Sequence, residues 1–210
     1  MPLRLDFALA VANIKAHYYA AVQYPTLYQA GVRWYFTARV LLQAMAVRTG
    51  VHLDVATAVT AVLSPKNKWT RNVVDAENCL KAAANGESET SIKCSTYPAN
   101  RAKAFRIIGK EFYGDVLSGN KVTSFFWNMR HPDDDYTVTV DGHALAVALG
   151  ARISISKLPS LSDKQYNLVG DAYRQACKEI NLDQLTGAEL VPSQVQAVCW
   201  IYYRFLHNIG

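Results

Sequence analysis

The chain has 210 residues, 50% hydrophobic and 19% charged, with 22 Lys and Arg against 17 Asp and Glu. That apolar content excludes a disordered or collagen-like polymer and suffices for a sizeable buried core. The net charge of +5 permits a polyanion partner without establishing one. The longest strongly apolar stretches, at 7–14 and 56–63, are too short to cross a bilayer. No export-type leader pattern is visible, so the expected location is the cytoplasm, without a membrane partner.

Apolar spacing and chain breakers predict helices throughout. The first spans 3–22 and closes at Pro25. A second runs from 26 or 27 to 48, with Gly50 suited to its C-terminal cap. The third covers 53–63 and breaks at Ser64-Pro65; the fourth covers 69–84 and stops at Asn85-Gly86. A polar loop at 87–96 leads to a helix at 100–108. Two short helices are expected within 112–127, around the turn Ser118-Gly119-Asn120. After an extended run at 136–140, helices are predicted at 142–149, 164–180 and 193–205. The expected class is all-α.

Cys79, Cys94, Cys177 and Cys199 are spaced by 15, 83 and 22 residues, which is neither a CxxC pair nor a compact metal-ligand set. Cys177 and Cys199 sit within apolar helical patterns and read as core thiols in a reducing compartment. No metal and no cofactor is expected.

Two segments carry the chemistry. In Leu117-Ser118-Gly119-Asn120-Lys121-Val122-Thr123-Ser124, a lysine follows a glycine turn at the start of a helix. In Val138-Thr139-Val140-Asp141-Gly142-His143-Ala144, an aspartate follows an extended run at the N-cap of the next helix. Twenty residues separate Lys121 from Asp141, room for a helix, a turn and a return, so the two side chains are expected to face one cleft.

This pairing resembles the helix-hairpin-helix DNA glycosylase superfamily, which includes endonuclease III and the 8-oxoguanine glycosylases. Gly119 and Lys121 match the end of the family's hairpin, and Val140-Asp141-Gly142-His143 matches its second motif. Upstream, the segment from Ala61-Val62-Leu63-Ser64-Pro65 to Lys66-Asn67-Lys68-Trp69 resembles the loop that family members insert opposite an extruded base. The hairpin departs from the family pattern, because Leu117 stands where a second glycine is usual. The cysteine spacing also differs from that of the iron–sulfur members, so no cluster is expected.

The resemblance implies a bilobed fold within one unit of 1–210. Residues of about 50–150 would carry the hairpin and catalytic motifs, with 1–49 and 151–210 packing together as the second lobe. It also implies a monomer acting on double-stranded DNA, associated with the nucleoid. Breaking an N-glycosidic bond builds positive charge on the sugar, which a carboxylate stabilises; Asp141 is the candidate. Lys121 is the candidate nucleophile at C1′, forming a Schiff base and giving base excision with strand nicking. Attack requires a neutral amine, a form that burial or a helix start favours for lysines generally.

Lys66, Asn67, Lys68 and Arg71 are candidate DNA contacts on or beside the Ser64-Pro65 break. Lys110, Gly119, Asn120 and Arg130 flank the hairpin as candidate phosphate contacts. Phe125, Trp127, His143 and Trp200 are candidate base-pocket residues. Simpler readings stand beside these: a solvated Lys121, an Asp141 that is only an N-cap, and a structural His143. The wider alternatives are an enzyme of phage-type hypermodified bases in the same superfamily, or a catalytically silent DNA-binding module.

Overall fold

The computed structural model describes residues 5–154, 157–183 and 189–209, and among them the regular elements are helices, without a strand. The first helix, α1 (Phe7–Val22), is capped by Asp6, whose carboxylate accepts a hydrogen bond from Leu9 N at 3.0 Å. Residues 3 and 4 of the expected first helix lie outside the described residues. Pro25 does more than close α1: it occupies the first turn of α2 (Pro25–Val32), where its missing N–H is harmless. The helix expected from 26 to 48 is therefore two, because the chain bends at Arg33 before α3 (Trp34–Thr49).

Next come α4 (Leu53–Val62), entered after Gly50 in a left-handed conformation (φ +70°), and α5 (Trp69–Ala84). A short 3₁₀ turn at Glu89–Ser91 interrupts the polar loop. Pro98 opens α6 (Pro98–Ile108), two residues before the expected start, again at a first-turn position. The rest are α7 (Tyr113–Val116), α8 (Asn120–Arg130), α9 (Gly142–Ala148), α10 (Asp163–Leu182) and α11 (Pro192–Leu206).

The helices pack as two compact units: Met1–Tyr35 with His131–Gly210, and Phe36–Arg130. In the first unit α1 is central and packs on α2, α9, α10 and α11, while α11 also packs on α2, α9 and α10. Ile14, Tyr18, Val147, Val169, Tyr173 and Cys199 are fully buried there. In the second unit α4 is central, packed on α5, α6 and α8, and every residue from Ala56 to Leu63 is buried. An apolar helix buried on all sides explains why the 56–63 run is core rather than a membrane segment. No described helix is long and apolar enough to cross a membrane.

Packing draws the boundaries at 35/36 and 130/131, whereas the sequence reading drew them near 49/50 and 150/151. The later boundary moves because of α9, where five of seven residues are buried and the neighbours are α1, α10 and α11.

Candidate functional site

Asp141 is held by its own unit from both sides along the chain. Before it, Val138, Thr139 and Val140 are buried, and the Tyr166 hydroxyl accepts from Val140 N at 2.9 Å and donates to Val138 O at 3.2 Å. After it, Asp141 Oδ1 accepts from Ala144 N at 2.8 Å, capping α9. Tyr173 donates to Ala144 O at 3.0 Å, which pins the first turn of that helix. Burial pushes the Tyr173 hydroxyl far above its ordinary ionisation range, so it stays a neutral donor.

The second carboxylate oxygen, Oδ2, lies 3.7 Å from His143 Nδ1. That nitrogen is buried and makes no hydrogen bond with a described residue. The His143 ring packs against Tyr203 and Trp200, with centroids 5.5 and 6.5 Å away. Trp200 in turn meets Trp34 at 6.0 Å, and the Arg204 guanidinium lies 4.5 Å over its ring. The first unit thus brings together Asp141, His143 and Trp200 and adds Trp34, Tyr203 and Arg204, none of which was among the candidate site residues. The signal for Trp200 and Arg204 was their spacing of four on one helix face.

Lys121 belongs to the second unit. It is the second residue of α8, half-buried, and none of the described ion pairs uses it. Gly119 precedes α8 in a left-handed conformation (φ +84°), and a Cβ built there meets nothing within 4 Å. The turn therefore presents open backbone immediately before Asn120 and Lys121. Of the aromatic run, Phe126 is buried against Tyr113 at 5.0 Å, Phe125 packs on Trp69 at 6.2 Å, and Trp127 is 46% exposed. Successive helical positions face different ways, so this split is the expected one.

The loop after α4 is organised by a residue that sequence reasoning missed. Asp75 is fully buried and accepts from Asn67 Nδ2 at 3.0 Å, Arg71 Nε at 2.9 Å and Ser95 N at 2.7 Å. Asn67 turns its amide inward, while Lys66 and Lys68 are exposed. Lys66 adopts φ +58° with its ammonium 4.8 Å over the Tyr97 ring. Lys110 is exposed and ends α6 in a left-handed cap (φ +76°), its N–H donating to Ile107 O at 3.2 Å. Arg130 is ion-paired with Asp54 on the first turn of α4. Among the described residues, Lys66, Lys68 and Lys110 are thus the exposed cations of the candidate DNA set without an ion pair, whereas Arg71 and Arg130 have acidic partners.

A family of unknown function, DUF7178, matches residues 5–206. The chain belongs to that family. No curated protein and no solved structure matches it. What the DUF7178 chain can do chemically therefore rests on its own residues. Among the described residues, no group of three or more His, Cys, Asp or Glu is arranged to hold a metal. The first unit of this DUF7178 chain offers a carboxylate with one oxygen committed to a backbone amide and the other beside an imidazole. Such a group can face a developing cation. The second unit offers an amine outside the described ion pairs, next to an open glycine turn.

Proposed function

We propose that this DUF7178 chain is a DNA glycosylase of the bilobed helix-hairpin-helix kind that removes a damaged or modified base. The observation that carries the reading is Asp141. It follows a buried extended segment, caps α9 with one oxygen and keeps the other at the edge of an aromatic set formed by His143, Trp200 and Trp34. In this reading the neutral Lys121 amine attacks C1′ and the bond to the base breaks, the departing base taking the bonding electrons and, by way of solvent, the proton that the Lys121 nitrogen gives up. Asp141 supplies the negative charge that the sugar needs as it becomes cationic. Ring opening then leaves an imine on Lys121, and elimination of the 3′ phosphate nicks the strand. Lys66 and Lys68 supply exposed positive charge for the DNA backbone.

Borohydride trapping on duplexes carrying a panel of oxidised, deaminated, alkylated and phage-type bases tests this. A covalent protein–DNA adduct with the wild type, absent with Lys121→Gln, is the expected result. Base release that survives both Lys121→Gln and Asp141→Asn overturns the assignment. Salt-sensitive DNA binding with no base released from any substrate leaves a silent binding module in its place.

A further inference from the structure

We propose that Cys79 and Cys94 are a redox pair whose reversible disulfide clamps the 85–97 loop to α5, with a disulfide compound as oxidant. The two sulfurs lie 3.5 Å apart, one on the buried face of α5 and the other in the loop that follows it. A disulfide brings sulfurs to about 2 Å, a closure that side-chain rotation supplies when the backbone is already in place. Here the backbone is held on both sides of Cys94. Ser95 N donates to the buried Asp75 carboxylate at 2.7 Å, and Arg101 Nη1 donates to Ile92 O at 2.7 Å. Asp75 sits one helical turn before Cys79, so the same face of α5 that anchors the loop also presents the thiol. The other two cysteines differ: Cys177 donates to Leu190 O at 3.1 Å and Cys199 to Ile14 O at 3.5 Å.

Exposure sets the order of events. Cys94 is half-buried and Cys79 fully buried, so an oxidant meets Cys94 first. Burial raises both thiols above their ordinary range, which makes the pair slow to react and protonated in a reducing solution. Cys94 loses its proton to solvent and its sulfur attacks oxidised glutathione; one S–S bond forms as another breaks, releasing one glutathione thiolate. Cys79 then loses its proton and displaces the second glutathione from Cys94. Two protein thiols are oxidised and one glutathione disulfide is reduced to two thiols. The closed ring restricts opening of the loop. Thr96 of that loop donates to Pro65 O at 2.8 Å, so the clamp also steadies the turn carrying Lys66.

The test is prolonged incubation of the wild-type chain with oxidised glutathione at about pH 8, where the small thiolate fraction is larger than at neutral pH. Alkylation, digestion and mass mapping follow, with hydrogen exchange of the 87–97 amides measured in the oxidised and reduced forms. The expected result is a Cys79–Cys94 cross-link, reversed by dithiothreitol, with slower exchange in the loop when oxidised. Cys177→Ser retains the cross-link and Cys94→Ser loses it, while mapping on the wild type needs no variant to fold. A glutathione adduct that persists on Cys94, a cross-link through Cys177 or Cys199, or unchanged loop exchange overturns the proposal. None of these readouts involves DNA, so the outcome is separate from that of the glycosylase reading.

Discussion

The hydroxyl of Tyr166 bridges the backbone just before Asp141, accepting from Val140 N at 2.9 Å while donating to Val138 O at 3.2 Å. One phenol thereby satisfies a buried donor and a buried acceptor that no sheet ladder provides. Tyr166→Phe keeps the ring and strands both groups, which is expected to destabilise the chain by about 1–3 kcal/mol. Urea denaturation reads this as a lower midpoint at unchanged slope. An unchanged midpoint means that the segment leading to Asp141 is held by other contacts.

Asp141 has two separable roles, cap and charge. Asp141→Asn keeps a side-chain oxygen for Ala144 N, so stability should change by no more than about 0.5 kcal/mol. Asp141→Ala removes the cap and should cost about 1 kcal/mol. If the carboxylate also stabilises a cationic sugar, both variants should release base about 100-fold more slowly or worse. Thermal melts and base-release assays on the same preparations distinguish the two roles. Full activity in Asp141→Asn would reduce Asp141 to a cap.

The approach of α2 to α11 depends on Gly31. A Cβ at this position would lie 2.5 Å from Val198 Cα and 2.9 Å from Val198 N, both backbone atoms that cannot rotate away. Gly31→Ala must push the two helices apart, at an expected cost of about 1–3 kcal/mol despite alanine's better helix propensity. A stabilised variant in urea would show that the contact between α2 and α11 yields easily.

Glu77 is the acid-sensitive joint of the second unit. Hydrogen bonds from Arg48 at 3.2 and 2.9 Å, and the Lys81 ammonium at 2.8 Å, lower its carboxyl from 4.5 to about 2. Because the folded value lies below the unfolded one, the stabilisation is complete above about pH 4.5 and fades as pH falls towards 2. Arg48 and Lys81 are half-exposed, so solvent screening limits the contribution to about 1 kcal/mol. Wild type should lose stability between pH 4.5 and 2 more steeply than Glu77→Gln. Parallel acid limbs in the two chains would count against this pairing.

How legible each feature was depended on the range of the interactions behind it. The bounds of α5 at Trp69 and Ala84 and the cap of α9 at Asp141 were readable because their signals are local. Asn85-Gly86 stops one helix, and a carboxylate three residues from its amide starts the other. The break at Arg33 carried no such signal. There is no proline or glycine at the break itself, and both sides of it meet α11, Gly31 against Val198 and Tyr35 bonded to Gln196 at 3.0 Å.

The candidate site divides the same way. Composition excluded a membrane span and a disordered chain, and the two motifs brought Lys121 and Asp141 forward. Only the tertiary structure assigned Asp141 to the unit built from the chain termini and Lys121 to the middle one. Only it revealed Asp75 beneath the Lys66 loop, since Asn67 and Ser95 lie 8 and 20 residues away along the chain. The mild charge of +5 was likewise only a total in the sequence. Folding left Lys66, Lys68 and Lys110 exposed and paired Arg71 and Arg130 with carboxylates. Composition and local spacing act through neighbouring residues and survive in the sequence. Burial and ion pairing depend on which distant segments meet, and packing decides that.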